Sequence, residues 1–346
     1  MNVRYRLLGL VCLGLLLSSL YAVGQYRPDI LGGGYEQRML TCCTDGGDTV
    51  RSVLVRKRAA RPTDDALFYL HGYNDYFFQS ALGDTAVARG MDFYALDLHG
   101  YGRSLPMAAE PFYCRDLAEY FPELDSALAV VRAEGHRRVV IMGHSTGGLI
   151  MTYYLYRTCS PERCADIVGL VLNSPFLDWN LTSFQENVLM PVVSAAGRLF
   201  PRWKVQGGGH SFYSDALLKE HWTFDTNWKK PEGYVKRAGW LRAIHRAQRE
   251  LQHGVELSCP VLVLSSDSSA WEKGAWQEDF RRKDIVLDVA DIQRYGRRLG
   301  ERVECRTIPG GMHDLVLSAP EARDEFYRVC FQWIEEILQS AAPSCK

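Results

Sequence analysis

The sequence predicts an α/β fold in which a mostly parallel sheet is flanked by helices and interrupted by one long helical insertion. Short apolar runs alternate with helical patterns over most of the 346 residues. The run Arg138–Met142 passes through Gly143-His144-Ser145-Thr146-Gly147 directly into a helical pattern. Between about Asp178 and Ser258 the alternation stops, and sequence rich in aromatic residues but without clear strands replaces it.

Taken in chain order, Arg4 and Arg6 precede an apolar stretch from Leu7 to Gly24, and Ala22-Val23-Gly24 offers a small-x-small cleavage site. This is the layout of an export signal. It is also at the short limit for spanning a bilayer, so segment 1–24 is expected either to be removed on export or to stay as an anchor. Residues 25–49, with Gly32-Gly33-Gly34, read as a linker. Strands are expected at Val50–Val55, Ala66–Leu70, Asp92–Leu98, Arg138–Met142, Ile167–Leu172, Val261–Leu264 and Val303–Ile308. Helical patterns cover Leu117–Ala133 and Leu149–Tyr156. The last helix, Glu321–Gln339, repeats Phe326, Val329, Cys330, Trp333, Ile334 and Ile337 at helical spacing. The core therefore comprises 50–177 and 259–342, and 178–258 forms a cap over the carboxyl ends of the strands, where ligands of such sheets bind. Gly207-Gly208-Gly209 reads as a bend within that cap.

Composition narrows the function. Hydrophobic residues make up 47% and charged residues 23%, and the net charge is −1. With no basic cluster, nucleic acid is excluded as a partner. No Cys-x-x-Cys pair or His-Glu-x-x-His run points to a metal. Of the nine cysteines after residue 24, Cys159 and Cys164 are placed to close a small loop. Cys259 and Cys305 each open a strand that neighbouring pairing brings together, and buried free thiols are the alternative for both pairs.

The chemistry concentrates at the ends of strands. Gly-x-Ser-x-Gly between strand and helix is a nucleophile elbow: a turn too tight for side chains at the flanking positions lifts the serine hydroxyl clear of the sheet. Ser145 then requires a base, and the base an orienting acid, in the chain order serine, acid, histidine. His313 follows the strand Val303–Ile308 in a Gly-rich loop before the last helix, where the base belongs. Asp267 is the carboxylate nearest to the strand Val261–Leu264. However, Asp284-Ile285-Val286-Leu287-Asp288 has the short apolar pair and following helix expected after the acid. Asp284 is therefore preferred, Ser268–Lys283 is read as a surface insertion, and Asp267 and Asp288 remain as alternatives. Asp288 suits a helix N-cap. The backbone N–H of Thr146, and that of Tyr73 in the loop His71-Gly72-Tyr73-Asn74, are the candidate donors to a negative oxygen. His71 is read as a brace for that loop. Asp97-Leu98-His99-Gly100-Tyr101-Gly102-Arg103-Ser104 is read as a structural turn, since its two glycines lack the third glycine of a dinucleotide loop.

With these pieces the chain resembles the α/β-hydrolase fold, specifically the monoacylglycerol lipase and serine aminopeptidase-like (S33) group. The resemblance rests on His71-Gly72-Tyr73-Asn74, Asp97–Ser104, Gly143–Gly148 and Ile308–Asp314, and covers roughly residues 50 to 340. The additional residues before Asp284 depart from the pattern. The resemblance implies hydrolysis of carboxylic esters, such as monoacylglycerols or lysophospholipids, through an acyl-enzyme and without a cofactor. Some similar proteins instead cleave N-terminal residues from peptides, which needs carboxylates to hold an ammonium; Glu186, Asp215 and Glu220 are available in the cap. A non-catalytic binding protein on this fold is disfavoured because Ser145 and His313 are both present. A serine at the elbow argues against the epoxide hydrolases and dehalogenases of the fold, which carry a carboxylate there.

Overall fold

The apolar runs form the middle of a nine-stranded sheet in the computed structural model, which describes residues 25–341 apart from 44–46, 48, 109, 161, 183, 207–208 and 273. Segment 1–24, expected to be an export signal or anchor, Gly207, Gly208 and residue 342 lie outside the described residues. Among the described residues no helix is long and apolar enough to cross a membrane. In chain order the elements are β1 (Arg27–Pro28), β2 (Glu36–Cys43), β3 (Thr49–Lys57), β4 (Asp65–Leu70), α1 (Ser80–Ala88), β5 (Asp92–Asp97), α2 (Phe121–Ala133), β6 (Arg138–His144), α3 (Thr146–Thr158) and β7 (Ile167–Asn173). There follow α4 (Met190–Leu199), β8 (Lys204–Gln206), α5 (Phe212–Lys219), β9 (Lys236–Arg237), α6 (Ala238–Gln252), β10 (Val261–Ser266), α7 (Val289–Gly296), β11 (Val303–Ile308) and α8 (Pro320–Ser340).

The strand order is β1-β2-β3-β5-β4-β6-β7-β10-β11. From β5 to β11 all neighbours are parallel, and β1, β2 and β3 join as antiparallel strands at one edge. A parallel sheet needs cover on both faces, and the continuous burial of β5 and β10 shows that it has it. On one face Phe326, Cys330, Phe331 and Ile334 of α8 pack on Leu67, Val140, Val171 and Leu262. On the other, residues of α2, α3 and α6, among them Leu124, Leu149 and Ile244, pack on Phe68, Ile141, Leu170 and Val263.

Three expectations are corrected. Residues 25–49 are not a linker: β1 and β2 belong to the sheet, and Gly32, Gly33 and Gly34, all at positive φ, make the turn between them. That turn is tied to the body by Asp29, whose carboxylate accepts from the buried Arg103 guanidinium at 2.7 and 2.8 Å. Cys259 and Cys305 are free thiols. Register sets Cys305 opposite Val263, which leaves Cys259 beyond the paired strand, whereas Cys159 and Cys164 form a disulfide. The segment 178–258 also contains strands, the short antiparallel pair β8 and β9.

Candidate active site

The carboxyl end of β6 runs into Ser145, whose φ of 50° and ψ of −118° reverse the chain before α3 begins at Thr146. Such a left-handed serine is costly and persists only where its surroundings hold it. Here the Ser145 N–H donates to the Asn173 carbonyl and its carbonyl accepts from Phe176 N–H, both at 3.0 Å. The flanking glycines make the turn sterically feasible: a Cβ on Gly143 would lie 2.7 Å from Gly148 Cα, and one on Gly147 would collide with the His71 carbonyl oxygen.

β11 delivers the imidazole. After Ile308 the loop turns through Gly311 N–H to Ile308 O (3.1 Å), and His313 comes to rest buried over the elbow. Its Nε2 lies 2.9 Å from Ser145 Oγ and its Nδ1 lies 2.9 Å from Asp284 Oδ2. The carboxylate fixes the tautomer: Nδ1 carries the proton, and Nε2 is left to accept from the serine hydroxyl. Asp284 is fully buried, and its other oxygen accepts from Val286 N–H and Leu287 N–H, both at 2.8 Å. The inserted residues do not displace it, because they leave and return at one point. Asp284 N–H donates to Ser268 O (3.0 Å) and Ala270 N–H donates to Asp284 O (2.9 Å) across the neck of the excursion. Asp267, by contrast, is exposed and accepts from Gly310 N–H, and Asp288 caps α7 through Ala290 N–H.

The loop after β4 closes over the elbow from the other side, with Gly72 so near that a Cβ there would lie 3.2 Å from Ser145 Cβ. Tyr73 and Thr146 consequently line one cavity together with Ser145 and His313. Thr146, as the first residue of α3, has a backbone N–H with no partner inside the helix. His71 braces the loop: Nδ1 is 2.7 Å from Gly72 O, and Nε2 accepts from Leu98 N–H at 3.2 Å. The Asp97–Ser104 turn is structural too, with Asp97 accepting from Phe77 N–H, Arg103 N–H and the Arg103 guanidinium.

Beneath the elbow lies a buried network that the sequence reading did not identify. Asp314 accepts from Asn173 Nδ2 (2.7 Å), Gln79 Nε2 (3.2 Å) and Val316 N–H (3.1 Å). The His144 ring packs 4.9 Å from that of His313, and burial lowers the pKa of His144, with Asp314 opposing. Lys229 reaches down from the cap to Asp75 at 2.8 Å. Burial alone would raise the Asp75 carboxyl, but the Lys229 ammonium, with His144 and His71, brings it below its ordinary value. Asp75, His144 and Asp314 are the one group of potential metal donors brought together among the described residues. Lys229 neutralises Asp75, and the Asp314 oxygens accept from the amides of Asn173 and Gln79, so both carboxylates already have partners within the protein. The remaining cavity wall is Phe176, Trp179, Tyr213, Trp240, Val286 and Leu287, with Lys236 among them. Nothing in the spacing of Lys229 or Lys236 announced these positions. Of the cap carboxylates, Glu220 pairs with Arg281 and Asp215 with His210, and Glu186 lines a different cavity.

Comparison with known proteins agrees with this architecture. A soluble variant of monoglyceride lipase from Saccharomyces cerevisiae, in complex with a substrate analog, superposes with a TM-score of 0.61 at 15% identity, covering 86% of this chain and 96% of the other. Monoacylglycerol lipase from Paleococcus ferrophilus gives 0.60 at 18% identity, covering 82% and 99%. Est1E from Butyrivibrio proteoclasticus with ferulic acid bound gives 0.54 at 13%, covering 87% and 99%. At such identities the likeness establishes the α/β-hydrolase fold and no more. No functionally curated protein matches the sequence significantly. The family assignment comes from the sequence itself: residues 61–320, from just before β4 to the start of α8, match the Hydrolase_4 family, described as serine aminopeptidase, S33, and the chain belongs to that family of hydrolases.

Proposed function

We propose that the chain is a serine hydrolase that cleaves carboxylic esters of apolar acyl groups, of the monoacylglycerol or lysophospholipid kind, through an acyl-enzyme. The observation that carries this reading is the continuous relay from Ser145 Oγ through His313 to Asp284, with 2.9 Å at each step. In the proposed reaction Ser145 Oγ attacks the ester carbonyl carbon while His313 Nε2 takes the hydroxyl proton. The same nitrogen then returns it to the departing alkoxide. Water, deprotonated in turn by His313, releases the acid and restores Ser145. The backbone N–H groups of Tyr73 and Thr146 are assigned to the oxygen that becomes negative, each such donor typically contributing about 3–4 kcal/mol.

Two features support an apolar acyl group. The cavity walls are largely aromatic and aliphatic. The cap also turns apolar side chains to solvent: Phe184 is 68% exposed, Val192 61%, Leu199 73% and Phe200 65%. An exposed apolar surface of this extent suits contact with lipid. The aminopeptidase alternative is disfavoured because Asp75 is the carboxylate among the residues lining the cavity, and it is already paired with Lys229. The segment 1–24 is proposed to export the enzyme or hold it at a membrane.

A fluorophosphonate probe tests the reading. It should label the wild-type protein at Ser145, and Ser145→Ala should abolish labelling and lower ester turnover by about four to six orders of magnitude. Folded wild-type protein that takes up no label would refute the serine mechanism. Faster turnover of aminoacyl anilides than of p-nitrophenyl esters would move the assignment to a peptidase.

A further inference from the structure

The cavity around Ser145 contains two lysines in opposite circumstances. The Lys229 ammonium is buried and neutralised by Asp75. Lys236, on β9 just ahead of α6, lines the same cavity but has no ion pair and no side-chain hydrogen bond among the described residues. Lys236 is half-buried, and drawing a lysine partly out of water without a carboxylate is unfavourable. Burial accordingly lowers its pKa from the ordinary value, with no charged group contributing. Further polar atoms of lining residues lack a protein partner, but these are closed off from solvent. Trp179 Nε1 and Trp240 Nε1 are buried with no hydrogen-bond partner, as is the Tyr73 hydroxyl. With Lys229 paired to Asp75, the unbalanced charge among the lining residues is that of Lys236, and it is positive.

We propose that the ester cleaved at Ser145 carries an anionic oxygen group, a carboxylate or a phosphate, and that Lys236 is the residue that binds it. This rests on the serine-hydrolase reading and narrows its substrate class. The apolar walls take the hydrocarbon, Ser145 and His313 take the acyl carbon, and the unpaired ammonium takes the charge. Sites built to pair a charged group reject analogues that lack it, since their own buried groups are then left unpaired. Lys236 thus acts as a specificity determinant.

The experiment measures kcat/KM for matched ester pairs with the wild type, Lys236→Met and Lys236→Arg. One arm places the charge on the acyl side, p-nitrophenyl hemiglutarate against p-nitrophenyl butyrate. The other places it on the alcohol side, lysophosphatidate against the monoacylglycerol of the same chain. The expected result is a wild-type preference for the charged member in one arm, which identifies the source of the anion. Lys236→Met should reduce that preference at least about tenfold, mostly through KM, as for loss of a charge-assisted hydrogen bond, and Lys236→Arg should largely keep it. A wild type indifferent to charge in both arms overturns the proposal without any variant. So does a preference that Lys236→Met, still labelled by the fluorophosphonate, leaves unchanged. If the wild type is unlabelled and hydrolyses none of the four esters, the serine-hydrolase reading itself has failed; labelled and active but charge-blind enzyme sinks the lysine assignment alone.

Discussion

The two walls of the cavity are built on different terms. The floor, made by the carboxyl ends of β4, β6, β10 and β11, has its reactive and charged groups partnered. His313 is held between Ser145 and Asp284, Asp284 by two backbone N–H groups, and Asp314 by Asn173 and Gln79. The roof, from the segment after β7, supplies Trp179, Trp240 and Lys236, the last with no ion pair among the described residues, and shows Phe184, Val192, Leu199 and Phe200 to solvent. A floor whose reactive groups are held in this way is already organised before substrate arrives, which suits groups that must stabilise a transition state. A roof that sets an unpaired ammonium among apolar rings can discriminate between the molecules bound beneath it. Reaction type is therefore assigned to the sheet edge and selection to the cap.

The largest effect belongs to the floor. Replacing Asp284 by Asn removes the charge that stabilises protonated His313 and disturbs its tautomer, so kcat should fall by about 10⁴-fold. Asp267→Asn, at an exposed site bonded only to loop groups such as Gly310 N–H, should stay within about twofold of the parent. Parallel assays of the two variants on one ester decide between them, and the reverse ranking would transfer the acid role to Asp267.

That contrast also shows what was legible beforehand. Ser145 and His313 each follow closely on a parallel strand and Asp284 follows β10 across the inserted excursion, and parallel strands bring their ends to one edge whatever happens in between. The sixteen or so residues before Asp284 are harmless for the same reason: the neck at Ser268, Ala270 and Asp284 closes with strand-like hydrogen bonds. β2 was not legible. Glu36–Cys43 carries mixed polar and apolar residues because, near the open edge of the sheet, most of its side chains are only partly covered, so no alternation marks it. The roof was illegible in detail because its cavity residues come from loops, a two-residue strand and two different helices, so no single period relates one contact to the next.

The junction between the walls is the Lys229–Asp75 pair. Removing one partner of a buried pair strands the other, so Asp75→Asn should cost about 3–5 kcal/mol of stability in denaturant unfolding. Combining Lys229→Met with Asp75→Asn should recover most of that loss, because the surviving amide is neutral. Equal destabilisation of the single and double variants would show that Asp75 works through Gly72 N–H and the elbow loop rather than through the cap.

On the outer face of the roof, Val192→Ser with Phe200→Ser removes apolar surface that is already in water, so folding stability should barely change. If that face meets lipid, binding to vesicles should weaken by about tenfold, given roughly 1–2 kcal/mol for the two side chains partly buried in the interface. Hydrolysis of a water-soluble short-chain ester, measured alongside, should be unaffected. An equal loss on both substrates would place these residues in folding of the cap rather than in lipid contact.

The smallest effect concerns Asp178, where the cap leaves the core. Burial, with Glu186 nearby, raises its carboxyl from the ordinary range to about 6, although Gln252 Nε2 donates to it at 2.9 Å. In the unfolded chain the same group titrates near about 4. Folding therefore takes up a proton between roughly pH 4 and pH 6, and the stability that protonation provides is lost as pH rises through that window. Above it the folded chain holds a buried anion, which costs on the order of 1–2 kcal/mol. Asp178→Asn keeps an oxygen for Gln252 and has nothing to ionise. It should be more stable than the parent by that amount at pH 8 and indistinguishable from it near pH 4, measured by urea unfolding at the two values. A gain of the same size at both pH values would mean that the substitution acts through packing at the hinge of the roof, and that ionisation of Asp178 places no strain on the cap.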